Sequence, residues 1–205
     1  MTEPTPKIQG LIRQYKRILL SYADFKHAIL AARYILEKRL HAKYPQQSYI
    51  ILEALSCSMI MAYTRPFSGN DNNSNPKIPD LSERFLSVLD EDEREMHEVA
   101  LHDRNKLLAH SDSDALDVEP VVFRVMEIDT VAPIKNWGLA PLTEEATRSL
   151  KSAAEKLQKA IFEERMRLEP QLLPYFRVAG PEDLFDPPER GATQPVAKAD
   201  GTSGG

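Results

Sequence analysis

Apolar residues recur at helical spacing along most of this chain, and the pattern predicts a succession of amphipathic helices. Ile8, Leu11, Ile12, Tyr15, Ile18 and Leu19 return every three or four positions, and so do Phe25, Ala28, Ile29, Ala32, Ile35, Leu36 and Leu40. Ser21 followed by Asp24 resembles a weak capping box, at which one long helix would bend or restart. Pro45 breaks the run. Gln47 or Ser48 then opens a second helix that ends near Thr64, ahead of Arg65-Pro66. That segment is apolar around nearly its whole circumference, which predicts the central helix of the fold.

Residues 66–80 are turn formers with little to bury and predict a loop, a solvated excursion or else a functional lid. Leu81, Phe85, Leu86 and Leu89 predict a short helix. Asp90 and Glu93 are placed to cap the next one, which carries Met96, Val99, Ala100, Leu107 and Leu108. After Asp114 the period drops to two. Val121, Phe123 and Val125 alternate with Val122, Arg124 and Met126, which predicts a small β-hairpin near 119–137, with a proline-containing turn ahead of Asn136-Trp137-Gly138. Thr143 with Glu144 and Glu145 starts a last helix, whose apolar positions from Leu150 to Met166 continue to Pro170. From residue 171 prolines accumulate, and Ala192–Gly205 is small, polar and glycine-rich, which predicts a mostly disordered tail over 171–205. The expected architecture is therefore all-α: one domain over 1–170, a bundle of four to five main helices interrupted by the hairpin.

Composition changes this picture little. At 205 residues and 42% hydrophobic the chain can bury one sizeable core. The single cysteine, Cys57, lies in the apolar run 50–62 and reads as a small core residue, and no disulfide within the chain is possible. No run of about 18 apolar residues occurs, and the first residues lack a charged head followed by an apolar stretch, so the expectation is a cytosolic protein with no membrane partner. Charge matters more. The net charge of −5 argues against a broad nucleic-acid-binding surface. Between Asp90 and Val118 ten acids face only Arg94, Arg104 and Lys106, whereas Lys7–Lys43 holds nine bases against Asp24 and Glu37. Any RNA track would have to borrow that basic face.

The most specific chemistry is Arg104-Asn-Lys-Leu-Leu-Ala-His110, followed by Ser111-Asp112. Arginine stays cationic and presents a planar fork that fits a phosphate, while histidine near neutrality takes or gives a proton. Together they suit phosphodiester cleavage without metal. In a regular helix six residues turn the chain through about 600°, leaving the two side chains roughly 120° apart and about 9 Å along the axis. They converge on one phosphate only if the helix ends near Ala109 or if a second copy of the chain contributes the same pair.

Arg104-Asn105, the apolar Leu107 and Leu108, and Ala109-His110 resemble the Arg-polar-x(3–5)-His motif of the HEPN superfamily, found in toxin–antitoxin, abortive-infection and CRISPR-associated proteins. The resemblance implies an all-α bundle whose homodimer joins two motifs, at the two-fold interface, into a metal-independent endoribonuclease with no cofactor, and it allows for a cognate antitoxin in a toxin–antitoxin or phage-defence system. It also implies Arg104 and His110 as catalytic residues and 2′,3′-cyclic phosphate products. Some members carry a tyrosine two residues after the histidine, where a partner nucleotidyltransferase modifies it. Here Asp112 stands at that position, so that form of regulation is not implied.

Several supporting roles stay open. Asn105 could orient the histidine or contact a ribose, or be a solvated residue. Ser111 and Asp112 could set the His110 tautomer or simply end the helix. Arg65, at the end of an apolar helix, is either a second phosphate contact or part of a structural ion pair with an acid such as Asp103. His97 and His102 are five residues apart on one helix, about 140° around it, which is poor geometry for sharing a metal, and no metal site is expected. Two further readings stand beside the ribonuclease: a catalytically inactive HEPN-like bundle that binds a partner protein or nucleotide through its acidic helix, and an unrelated bundle with a chance Arg-x5-His.

Overall fold

The structure is a computed structural model that describes residues 3–42, 46–67, 78–109, 118–125, 128–135 and 141–177. Four long helices form the body: α1 (Pro6–Glu37), α2 (Gln46–Thr64), α3 (Glu91–Ala109) and α4 (Glu144–Leu172). Their starts follow local chemistry. Thr5 caps α1 by accepting from the Ile8 amide (3.4 Å), with Pro6 at the first helical position, where its missing N–H costs nothing. Thr143 caps α4 by accepting from the Ala146 amide (3.1 Å). At α3 the capping box is reciprocal: Asp90 Oδ1 accepts from the Glu93 amide (3.0 Å) and Glu93 Oε2 from the Asp90 amide (3.1 Å).

Side-chain pairs give the direction of each helix. Tyr15 of α1 meets Phe176 just beyond α4, and Tyr22 meets Phe162, so α1 and α4 run antiparallel. Asp24–Arg65 and His27–Ser58 set α2 antiparallel to α1, and Glu93–Ser152 with the cleft joining Val99 to Ala146 sets α3 antiparallel to α4. The result is an up-down-up-down bundle. The carboxy-terminal ends of α1 and α3 and the amino-terminal ends of α2 and α4 gather at one end, which we call the motif end because Arg104 lies there. The densest helix contact is between α1 and α4. Both bury alanines in the shared core, Ala28, Ala31 and Ala32 on one and Ala153 and Ala154 on the other, alongside Phe25, Ile18, Leu150, Leu157 and Ile161.

Four sequence expectations change. α1 is continuous through Ser21, because Ser21 is fully buried and faces the core instead of starting a new helix. α2 is not central along its length: Met59, Ile60, Ala62 and Tyr63 are buried, but Tyr49, Ile50 and Ile51 are exposed, and the α1–α4 pair takes the central place. The packed chain also extends past residue 170. α4 runs through Pro170 to Leu172, Leu172 is fully buried, and a 3-10 turn over Leu173–Tyr175 brings Phe176 onto Tyr15. Finally, two strands, β1 (Val118–Val125) and β2 (Ile128–Lys135), pair antiparallel with Val122 opposite Val131 and Pro120 opposite Pro133. Pro133 thus lies within a strand and not in a turn. Both strands are edges of this two-stranded ribbon, where a missing N–H is tolerated.

Of the expected loop 66–80, Pro66, Phe67 and Ile78–Asp80 are described, while 68–77 lie outside the described residues, as does the tail from 178 onward. No helix of the described residues is long and apolar enough to cross a membrane.

Candidate functional site

The capping box makes α3 rigid at its start. Glu93 is buried and bonds Ser152 Oγ (2.7 Å) as well as Lys156 Nζ (2.6 Å), and Lys156 also reaches Asp90 (2.8 Å). One turn on, His97 is buried against the rings of Tyr63 and Phe67, with its Nδ1 3.2 Å from the Tyr63 hydroxyl. Burial drives the Tyr63 phenol well above its ordinary range, with Glu93 and Glu98 adding to the effect, and burial also lowers His97 against an opposing pull from Glu98. Both groups are therefore neutral near pH 7. The phenol donates to Nδ1 in the tautomer that carries its proton on Nε2.

The far end of α3 is different. Arg104 is half-buried and Asn105 exposed, and the Arg104 guanidinium donates to Asn105 Oδ1 at 3.4 Å. Among the described residues Arg104 forms no ion pair, although its helix is strongly acidic. His110, Ser111 and Asp112 lie outside the described residues, so Arg104 and Asn105 are the part of the predicted site that the structure describes.

Arg65 does not pair with Asp103. Its Nη1 donates to Asp24 Oδ1 at 2.7 Å, tying the end of α2 to the middle of α1. Burial raises the Asp24 carboxyl, and Arg65 then Arg17 pull it back. Arg65 thus favours the charged form of Asp24 against burial, and the ion pair is structural, at the end of the bundle away from the motif. Cys57 is half-buried against the core, and burial, followed by the nearby Glu53, pushes its thiol up, which disfavours the nucleophilic thiolate. Among the described residues no group of three or more His, Cys, Asp or Glu could hold a metal.

The sequence reading missed what surrounds the motif end. His41 lies in a 3-10 turn after α1 (Leu40–Ala42), with Nε2 3.4 Å from the Thr147 hydroxyl of α4. Glu144 is held below its ordinary range first by its bond to Arg148, with further pull from His41 and Arg39. Arg39 has φ of 50°, the one left-handed non-glycine among the described residues. The sequence signal was the run Lys38-Arg39 directly after a helical pattern, but nothing in it told which end of the bundle it would join. The chain matches no family model, no curated protein and no solved structure.

Proposed function

We propose that this chain is a HEPN-like, metal-independent endoribonuclease, acting as a homodimer that joins two Arg104/His110 pairs. In this reading the bundle carries a β-hairpin inserted near 119–137, between the motif helix and α4. The observation that carries the proposal is the state of Arg104: a half-buried arginine at the end of an acidic helix, with no carboxylate ion pair among the described residues. A guanidinium kept off the neighbouring acids retains its fork for a phosphate.

The chemistry follows from the two side chains. His110 takes the proton from a ribose 2′-hydroxyl, and O2′ attacks the adjacent phosphorus. The P–O5′ bond breaks, and the leaving oxygen takes a proton from the partner copy's imidazole. The products are a 2′,3′-cyclic phosphate and a 5′-hydroxyl. Arg104 stabilises the charge on the pentacoordinate phosphorus, and positioning contributes the rest. The homodimer supplies a second Arg104/His110 pair, so that the base and the acid come from different copies of the chain.

Arg104→Ala and His110→Ala should each abolish cleavage of a mixed RNA pool, the double variant should be no worse than either, and EDTA should have no effect. Solution mass and circular dichroism on each variant separate loss of chemistry from loss of fold. Wild-type protein inactive on every RNA, or alanine variants that cleave like wild type, would overturn the proposal. The second reading, an inactive bundle that binds a basic partner, is favoured by the open cleft of about 580 Å³ between α3 and α4, whose lining includes Asp90, Asp92, Glu95 and Glu145. It takes over if cleavage fails.

A further inference from the structure

Arg39 occupies the position just after a helix cap where the backbone turns left-handed, with φ of 50°. Glycine, or at need asparagine, fits there without a Cβ penalty. A cation gains a little there from the helix dipole, but a long side chain at positive φ finds its further use in what the guanidinium meets. Four neighbours share its sign or its chemistry. Lys38 precedes it and is exposed, Arg33 is exposed on the last turns of α1, Arg148 of α4 has a side chain 63% exposed, and His41 reaches α4 at Thr147. Against them stand Glu37 and Glu144, and Glu144 already bonds Arg148 at 2.6 Å. Aromatic surface is interleaved with the charge: Tyr34 is 47% and Tyr49 54% exposed, and Lys38 Nζ lies 5.9 Å from the Tyr34 ring centroid.

We infer that this basic turn, Arg33, Lys38, Arg39 and His41 with Arg148 from α4, is the backbone track for single-stranded RNA, with Tyr34 and Tyr49 as stacking surfaces for its bases. Phosphates spaced along a strand suit exposed arginines and lysines, and bases of any sequence stack on tyrosine rings. The track joins the end of the bundle where Arg104 lies, while the cleft between α3 and α4 is acidic and repels the same strand. A net-negative chain thereby handles RNA through one local field. This inference rests on the ribonuclease reading for its substrate, but not on the chemistry of His110.

The test uses binding, not cleavage. A fluorescent 2′-O-methyl oligouridine of about 20 nucleotides cannot be cut by attack of its own 2′-oxygen, and its anisotropy is followed against the full chain over a range of salt. Arg39→Gly should weaken binding about tenfold while melting at the wild-type temperature or higher, since glycine relieves the left-handed residue. The combined Arg33→Gln, Lys38→Gln, Arg39→Gly variant should weaken it about a hundredfold, and the slope of log K against log salt should become shallower by about 2, the value for three lost single-strand phosphate contacts. Wild-type affinity and slope in the combined variant overturn the track, even if the chain cleaves RNA. Equal displacement of the probe by polyglutamate also overturns it, because the surface would then be a general anion face suited to an acidic protein. Loss of binding in these variants supports the track even if the wild-type chain cleaves nothing, so the two proposals fail separately.

Discussion

Two arginines, one at each end of the bundle, have opposite surroundings. Arg65 follows a helix whose last turns are buried, and its guanidinium is bonded to Asp24, a carboxylate only 11% exposed whose charge burial disfavours. Arg104 lies in the last third of a helix crowded with acids, yet among the described residues it bonds only its neighbour Asn105. The difference separates a charge consumed by folding from a charge left for a ligand. It also follows from position: the end near Arg65 is sealed by Phe25, Tyr63 and Phe67, whereas the motif end exposes Tyr49, Ile50 and Ile51.

The comparison breaks most visibly at Arg65. Arg65→Ala strands a half-desolvated carboxylate and should cost about 1–3 kcal/mol in urea unfolding, the scale of an unsatisfied buried polar group. Asp24→Asn in the same background should recover much of that loss, since burial already opposes the charge on Asp24. If Arg65→Ala is neutral and instead weakens RNA cleavage, Arg65 is a second phosphate contact and the contrast between the two arginines disappears.

His97 sharpens the contrast through pH. Burial holds its folded-state pKa below the ordinary 6.5. Below about pH 6.5 the unfolded chain therefore binds a proton that the native state refuses. Stability linked to His97 is fully present above that pH and is lost as the pH falls through the window below it. Melting temperature should drop more between pH 7 and 5 for the wild-type chain than for His97→Gln, whose amide keeps a partner for Tyr63 without titrating. Parallel curves would mean that His97 is solvated and that the start of α3 is less sealed than its hydrogen bonds imply.

How much of this was legible in the sequence depended on whether the signal was local. The Asp90–Glu93 box and the Thr143 cap were readable because capping joins residues three apart. The continuity of α1 was not: Ser21 and Asp24 have the same spacing, and only the packing of Phe25 and Ala28 against other helices overrides their preference for a helix start. The structural ion pair of Arg65 was legible but its partner was not, since Asp24 is 41 residues away and only antiparallel packing of α1 and α2 brings it close. Of the candidate site, the place of Arg104 at the end of a helix was predictable from period alone. The basic turn beside Thr147 was not, because His41 and Thr147 are 106 residues apart.

The smallest expected effect is the one the proposed function needs most. Arg104→Ala should change unfolding free energy by no more than about 0.5 kcal/mol, the range of surface substitutions that break no named interaction. Its one hydrogen bond among the described residues, to the uncharged amide of Asn105, is long at 3.4 Å and joins adjacent residues, of little weight beside the entropy of holding both side chains still. Removing a cation from an acidic helix takes away some favourable long-range attraction. Arg104 stands more than a turn before the end of α3 at Ala109, where the helix dipole has largely faded, and exposed charges are screened by solvent, so the electrostatic loss stays within that range. A chain that keeps its melting curve and loses cleavage places Arg104 with the ligand. A chain that loses more than about 1 kcal/mol places it with Arg65, as a residue the fold itself requires, and any accompanying loss of activity would then reflect the disturbed end of α3.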